Sequence, residues 1–150
     1  MKNLFDLAVV TEIKQRIARL EPGSERQWGR MTPAQVLTHC ARGMEMATGD
    51  LKLPRIFIGR LIGWKIGSMV LRDDKPFRRN SPTAKELLVK DAPDFEAGRA
   101  RLLASIDHFA AAGPAGCTTH PHAFFGKMTA DEWAILAYKH LDHHLRQFGV

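Results

Sequence analysis

His140 and His144 stand four apart in the stretch His140-Leu141-Asp142-His143-His144-Leu145-Arg146-Gln147, and on a helix that spacing brings two imidazoles onto one face. A third, His39, falls on a predicted helical stripe with Val36, Gly43 and Met46. Three neutral imidazoles converging from two helices can hold one divalent ion and leave it an open coordination position. An ion so held lowers the pKa of a coordinated water to about 7 or deprotonates a coordinated thiol. The competing reading is a group of core histidines bonded to one another or to backbone, because a buried ring nitrogen must find some partner.

Trp133, Ala137, His140, His144 and Gln147 recur at steps of four and three residues, so the two histidines continue the buried stripe that Trp133 begins. Leu141, Leu145 and Phe148 widen that face, while Lys139, Asp142 and Arg146 are expected opposite it, with Asp142 and Arg146 pairing in water. His143, at the boundary, can stand in for His140 or His144 in some geometries and otherwise serves behind them or at the surface. Gln147, one turn past His144, is a candidate to orient that ring or to hold a water.

No His-Glu-x-x-His is present, so the glutamate base of a zincin protease is missing. Glu45, Asp107 and Glu132 are the carboxylates that could act as a base in principle. Cys40 points about 100° away from its neighbour His39 and reads as a small buried hydrophobe. Cys117, in a long loop, is the more accessible thiol. His122 is a candidate for the pocket mouth, His108 and His120 read as loop or surface residues, and Phe124-Phe125 reads as a loop anchor.

The elements that must position these groups are helical. Leu7, Val10, Ile13, Ile17 and Leu20 repeat at helical steps behind Asp6, and Pro22-Gly23 ends the run. Thr32-Pro33-Ala34-Gln35 supplies an N-cap, a first-turn proline and the glutamine of a capping box, opening a second helix that runs to about Thr48. A glycine-rich apolar segment and a loop holding Pro76 and Pro82 follow. Phe95, Leu102, Ile106 and Phe109 mark a helix from Pro93-Asp94 to near Ala112, and Thr129-Ala130-Asp131-Glu132 caps the last one. Gly113 to Met128 is a long connection, of a length that invites function. The expected fold is all-α, a single domain over residues 1–150 with four long amphipathic helices and a shorter one between the second and third.

Three segments together resemble the DinB/YfiT-like metalloenzyme superfamily over nearly the whole chain: Met31-Thr32-Pro33-Ala34-Gln35-x-x-x-His39, the loop His122-Ala123-Phe124-Phe125-Gly126, and His140-x-x-His143-His144-x-x-Gln147. Trp28-Gly29-x-Met31 and Trp133-x-x-x-x-Tyr138-Lys139-His140 further resemble a bacterial branch known mainly as a domain of unknown function. The resemblance implies a DinB-like up-down-down-up four-helix bundle holding a metal through His39, His140 and His144. Imidazole donors suit zinc or nickel first, with iron, manganese or copper as further choices. Characterised members include metal-dependent transferases of low-molecular-weight thiols, yet nothing in this chain names a thiol. The expected function is therefore a metal-dependent, S-transferase-like or hydrolase-like activity on a small molecule, such a thiol being one candidate. The alternative is a non-catalytic, stress-related metal-holding bundle, possible as a homodimer.

Composition narrows the partners. The net charge of +6 raises nucleic acid, but only Arg72, Lys75, Arg78 and Arg79 cluster, around Asp73-Asp74, and no basic stripe runs along the chain, so nucleic acid is not the expected partner. Leu53 to Leu71 is the most apolar stretch, yet it contains Arg55, Arg60 and Lys65, each costing about 2.5–3.5 kcal/mol near a bilayer centre, so no membrane partner is expected. Its Gly59, Gly63 and Gly67, four apart, suit either an ordinary close-packed helix or a lid or dimer contact. Two cysteines without ligand spacing, and a start lacking an apolar h-region, lead to the expectation of a cytoplasmic protein.

Overall fold

In the computed structural model, which describes residues 1–81 and 83–150, five α-helices carry the chain. They are α1 (Leu7–Ala18), α2 (Pro33–Thr48), α3 (Phe57–Val70), α4 (Phe95–Ala112) and α5 (Ala130–Arg146), with short 3-10 turns at Lys85–Leu87 and Gly113–Gly116. No strand occurs among the described residues. Pro82, expected in the loop with Pro76, lies outside them.

Local chemistry sets the helix starts. Asp6 accepts from Ala8 N at 2.8 Å to cap α1, and α2 and α5 each open with a complete capping box, Thr32 with Gln35 and Thr129 with Glu132. Gln35 does more than cap. Its Nε2 also donates to the carbonyls of Val89 and Asp91, both at 3.1 Å, which draws the 85–91 segment across the outside of α2. That places a loop carbonyl above His39, one turn further along the same helix.

The core is a contiguous cluster in which Ile13 and Ile17 of α1, Leu37 and Met44 of α2, Leu102, Ile106 and Phe109 of α4, and Leu141 of α5 are almost wholly buried. α2 packs most extensively on α4 and also on α5, while α1 contacts α4 and α5. Burial of this kind supplies about 1.5–3 kcal/mol for each large apolar side chain and holds α2 and α5 in fixed register.

Two features depart from expectation. The inserted helix α3 is not short: it has 14 residues against 12 for α1. Its glycines let a loop approach closely, since a Cβ on Gly59 would lie 2.5 Å from the Phe124 carbonyl oxygen and one on Gly67 would lie 3.4 Å from Phe125 Cβ. The second departure concerns α5, which has no solvated face at Lys139 and Asp142. Both are buried, because their charges are satisfied inside. Lys139 Nζ donates to the carbonyls of Val70 and Asp73, tying α5 to the end of α3. Asp142 pairs with Arg16 of α1 at 2.8 Å as well as with Arg146 at 2.7 Å. Only Arg146 keeps its head in water. No helix among the described residues is long and apolar enough to cross a membrane.

Candidate metal centre

His39 from α2 meets His140 and His144 from α5, and one ring nitrogen of each lies within 4.8 Å of the others. The three ring centroids are 4.8 Å apart in every pair, at interplanar angles of 62°, 76° and 89°. His39 Nε2 and His140 Nε2 are 2.9 Å apart. Three imidazoles so arranged could hold a divalent ion.

The other ring nitrogens show which lone pairs face inward. His39 Nδ1 lies 2.9 Å from the Leu87 carbonyl, which can only accept, so Nδ1 carries the proton and Nε2 presents its lone pair. His144 Nδ1 lies 3.0 Å from Gln147 Oε1, and Gln147 Nε2 donates to the Trp28 carbonyl at 2.8 Å. The second bond fixes the amide so that its oxygen faces His144, whose Nε2 is then also a free acceptor. Two of the three rings are thus held in the tautomer a metal ligand needs, by the kind of outer partner that orients ligating histidines. His140 is seated differently. A Cβ on Gly43 would stand 2.9 Å from His140 Nδ1, so the bare backbone of α2 makes the niche for that ring.

Burial keeps the group uncharged. It is the first cause of the lowered pKa of His39 and His140, and it brings His144 down to about 3; the neighbouring imidazoles add to the effect on His140 and His144. Neutral donors leave a divalent ion's charge uncompensated, which favours an anionic further ligand. His39 and His144 are buried and His140 is half-buried as a residue.

Residues 3–149 match the family described as a protein of unknown function (DUF1569), a span that includes α2 and α5 together with all three histidines. The chain belongs to the DUF1569 family. Comparison with curated proteins and with solved structures gives no match.

The remaining candidates in this DUF1569 chain take other places. His143 is buried edge-on to His144 at 5.0 Å and near the rings of Trp28 and Phe77, at 5.8 and 5.9 Å. It stands outside the triad and lines a separate groove with Trp28, Phe77, Arg79 and Arg146. His122 is the pin of a tight turn: its Nδ1 accepts from the backbone of Phe124 and Phe125, both at 3.1 Å, and its ring lies against Trp133. Burial, with the Arg55 charge second, pushes its pKa down to about 4. His108 is exposed, and His120 meets the Leu53 carbonyl.

None of the three carboxylates weighed as bases stands with the triad. Glu45 is paired with Arg101, Asp107 with Lys14, and Glu132 caps its own helix. Cys40 is buried and its thiol pKa is raised by that burial; half-buried Cys117 is raised by burial and by Asp131. Neither is primed as a thiolate. Spacing did not disclose the carbonyls of Leu87 and Trp28, because backbone partners from distant loops leave no residue signature. Gly43 did leave one: it lies four residues after His39 on the same face of α2.

Proposed function

We propose that His39, His140 and His144 are ligands of one divalent ion in a metal-dependent enzyme. The fold is taken as one DinB-like domain over residues 1–150, its helices running up-down-down-up in the cytoplasm. The observation that carries this reading is that His39 and His144 turn Nε2 lone pairs toward a shared point while each Nδ1 is held by a fixed acceptor. Without an ion His140 Nε2 can donate to the His39 lone pair at 2.9 Å, and among the described residues no such partner faces the His144 lone pair; a cation satisfies both.

When bound, the ion supplies Lewis acidity that lowers the pKa of a water or thiol. The chain's own residues then do three things. Leu87 and Gln147 hold two rings in position, Gly43 makes room for the third, and burial keeps all three neutral. Among the described residues no carboxylate joins the triad, which favours a nucleophile that needs only to lose its proton to solvent. A low-molecular-weight thiol fits that requirement better than hydrolysis, and it is also what the DinB-like resemblance implies. In the transfer, sulfur forms a bond to an electrophilic carbon as that carbon's leaving group departs.

The test is a panel of small thiols with a generic electrophile, run on untagged protein loaded with zinc or nickel and again after chelation. Metal-dependent loss of thiol, absent in His39→Ala, is expected. A metal that binds at the triad without turnover across the panel, and whose removal lowers the melting temperature steeply, would move the protein to the non-catalytic, metal-holding class.

A further inference from the structure

α3 turns its glycines inward and nearly everything else outward. Gly59, Gly63 and Gly67 take the contact with Phe124 and Phe125, so Phe57, Ile58, Leu61, Ile62, Trp64 and Met69 are all left exposed, Phe57 by 73% and Leu61 and Trp64 by 63% each. At about 100° per residue the first five share one face opposite the glycine strip, on which Lys65 and Ser68 also fall. Chains that stay alone in water rarely leave an apolar patch of this kind uncovered. The helix is also firmly presented: Ile56 N bonds the Ala123 carbonyl at 2.9 Å at its start, and Lys139 holds the Val70 carbonyl at its end.

Charge identifies what fits there. Between Leu51 and Leu71 the chain has four basic residues, Lys52, Arg55, Arg60 and Lys65, and no acidic one, with Asp50 and Asp73 just outside. Of these basic residues all but Arg55 are exposed. A second copy seated face to face would bring like charges together, whereas a surface of anionic lipid supplies the opposite charge and also accepts the apolar side chains. We propose that α3 docks in the interface of an anionic bilayer, its axis in the membrane plane, with Phe57, Ile58, Leu61 and Trp64 at the acyl boundary. The cations that bar this segment from spanning a bilayer suit it to lie on one: Arg60 and Lys65 lay their stems along the apolar face and set their heads among the headgroups. Attraction to anionic lipid adds to the apolar contact and is screened by salt. This surface is separate from the histidine site and does not depend on the metal reading.

The experiment is co-sedimentation of the full chain with vesicles of phosphatidylcholine alone or with about a third phosphatidylglycerol. Wild type should bind the anionic vesicles about tenfold or more tightly than the neutral ones, and lose that margin in high salt. Leu61→Glu, at an exposed position that leaves the core untouched, should abolish binding. Should that variant fail to fold, Arg60→Glu with Lys65→Glu tests the same face through its charge and should also lose binding. Absence of binding to anionic vesicles, or equal binding by wild type and the charge-reversed variant, would overturn the proposal. So would a concentration-dependent dimer, abolished by Leu61→Glu, in protein that ignores vesicles; that result would give the face to a second copy.

Discussion

His144 Nδ1 lies 3.0 Å from Oε1 of Gln147, the residue three positions further along at the C-terminal cap of α5. Because the Gln147 amide is itself held by the Trp28 carbonyl, the loop before α2 reaches through two bonds to set the tautomer of a ring on α5. Gln147→Ala removes that link without touching a proposed ligand. Metal affinity should fall by about 10- to 100-fold, the usual cost of losing such an outer partner. Competition against a chromophoric chelator measures it, and an unchanged affinity would mean that the His144 tautomer is set some other way.

Gly43→Ala separates site geometry from fold stability. The added Cβ would stand 2.9 Å from His140 Nδ1 and 3.0 Å from its Cε1, so the ring has to move. Alanine in a helix interior is favoured over glycine by about 0.5–1 kcal/mol, which offsets the crowding. The expected result is a melting temperature of metal-free protein close to wild type, with metal affinity down by about tenfold or more, in line with a ligating ring displaced from its position. Equal affinity in the two proteins would show that His140 is not seated as described.

Acid should unfold the metal-free chain early. His122, at about 4, and His144, at about 3, have pKa values lowered by burial, while in the unfolded chain they titrate near the ordinary histidine value of about 6.5. Between those limits the unfolded state binds more protons, so stability rises with pH there. This contribution is complete above about pH 6.5 and is lost as the pH falls toward 4 and then 3. Urea titrations at pH 7.5, 6 and 5 should give steadily lower midpoints, and His122→Phe should flatten part of the slope. A midpoint that does not change over this range would contradict the buried, neutral assignment.

The Arg16–Asp142 pair joins α1 to α5 with both side chains nearly buried, at 11% and 7% exposure. Asp142→Ala leaves the Arg16 guanidinium with the Val150 oxygen at 2.9 Å and the Glu12 carboxylate at 3.8 Å, so the cost should fall at or below the low end of about 3–5 kcal/mol. Replacing both partners, Arg16→Met with Asp142→Leu, should recover most of that loss, since two apolar side chains carry no desolvation penalty. Equilibrium unfolding of the two variants decides between them.

The fold was legible wherever one residue pattern served one purpose. Thr32-Gln35 and Thr129-Glu132 announced two helices because a capping box uses only local atoms, and Ile13, Ile17, Leu102, Ile106 and Phe109 sit in the core as their periodicity demands. That the three histidines lie together was legible for the same reason: i,i+4 spacing on α5 is a local fact, and His39 shared a stripe with buried Val36 and Met46. Lys139 and Asp142 were misplaced because their partners, the Val70 carbonyl and Arg16, are distant in sequence. A periodicity read along one helix counts a charge as solvated unless it can see what another element brings. The glycines of α3 were legible as a strip for close approach, but what approaches, the Phe124-Phe125 loop, is distant in sequence and left no sign there.

The most direct test of the central claim is metal stoichiometry and affinity on protein made without a histidine tag, comparing wild type with His39→Ala and His144→Ala. The shared-ion account predicts a single equivalent of zinc or nickel on wild type and affinity lost by orders of magnitude in both variants, with their helical content retained. Wild-type protein that takes up no ion, or two variants that bind as tightly as wild type, would contradict it.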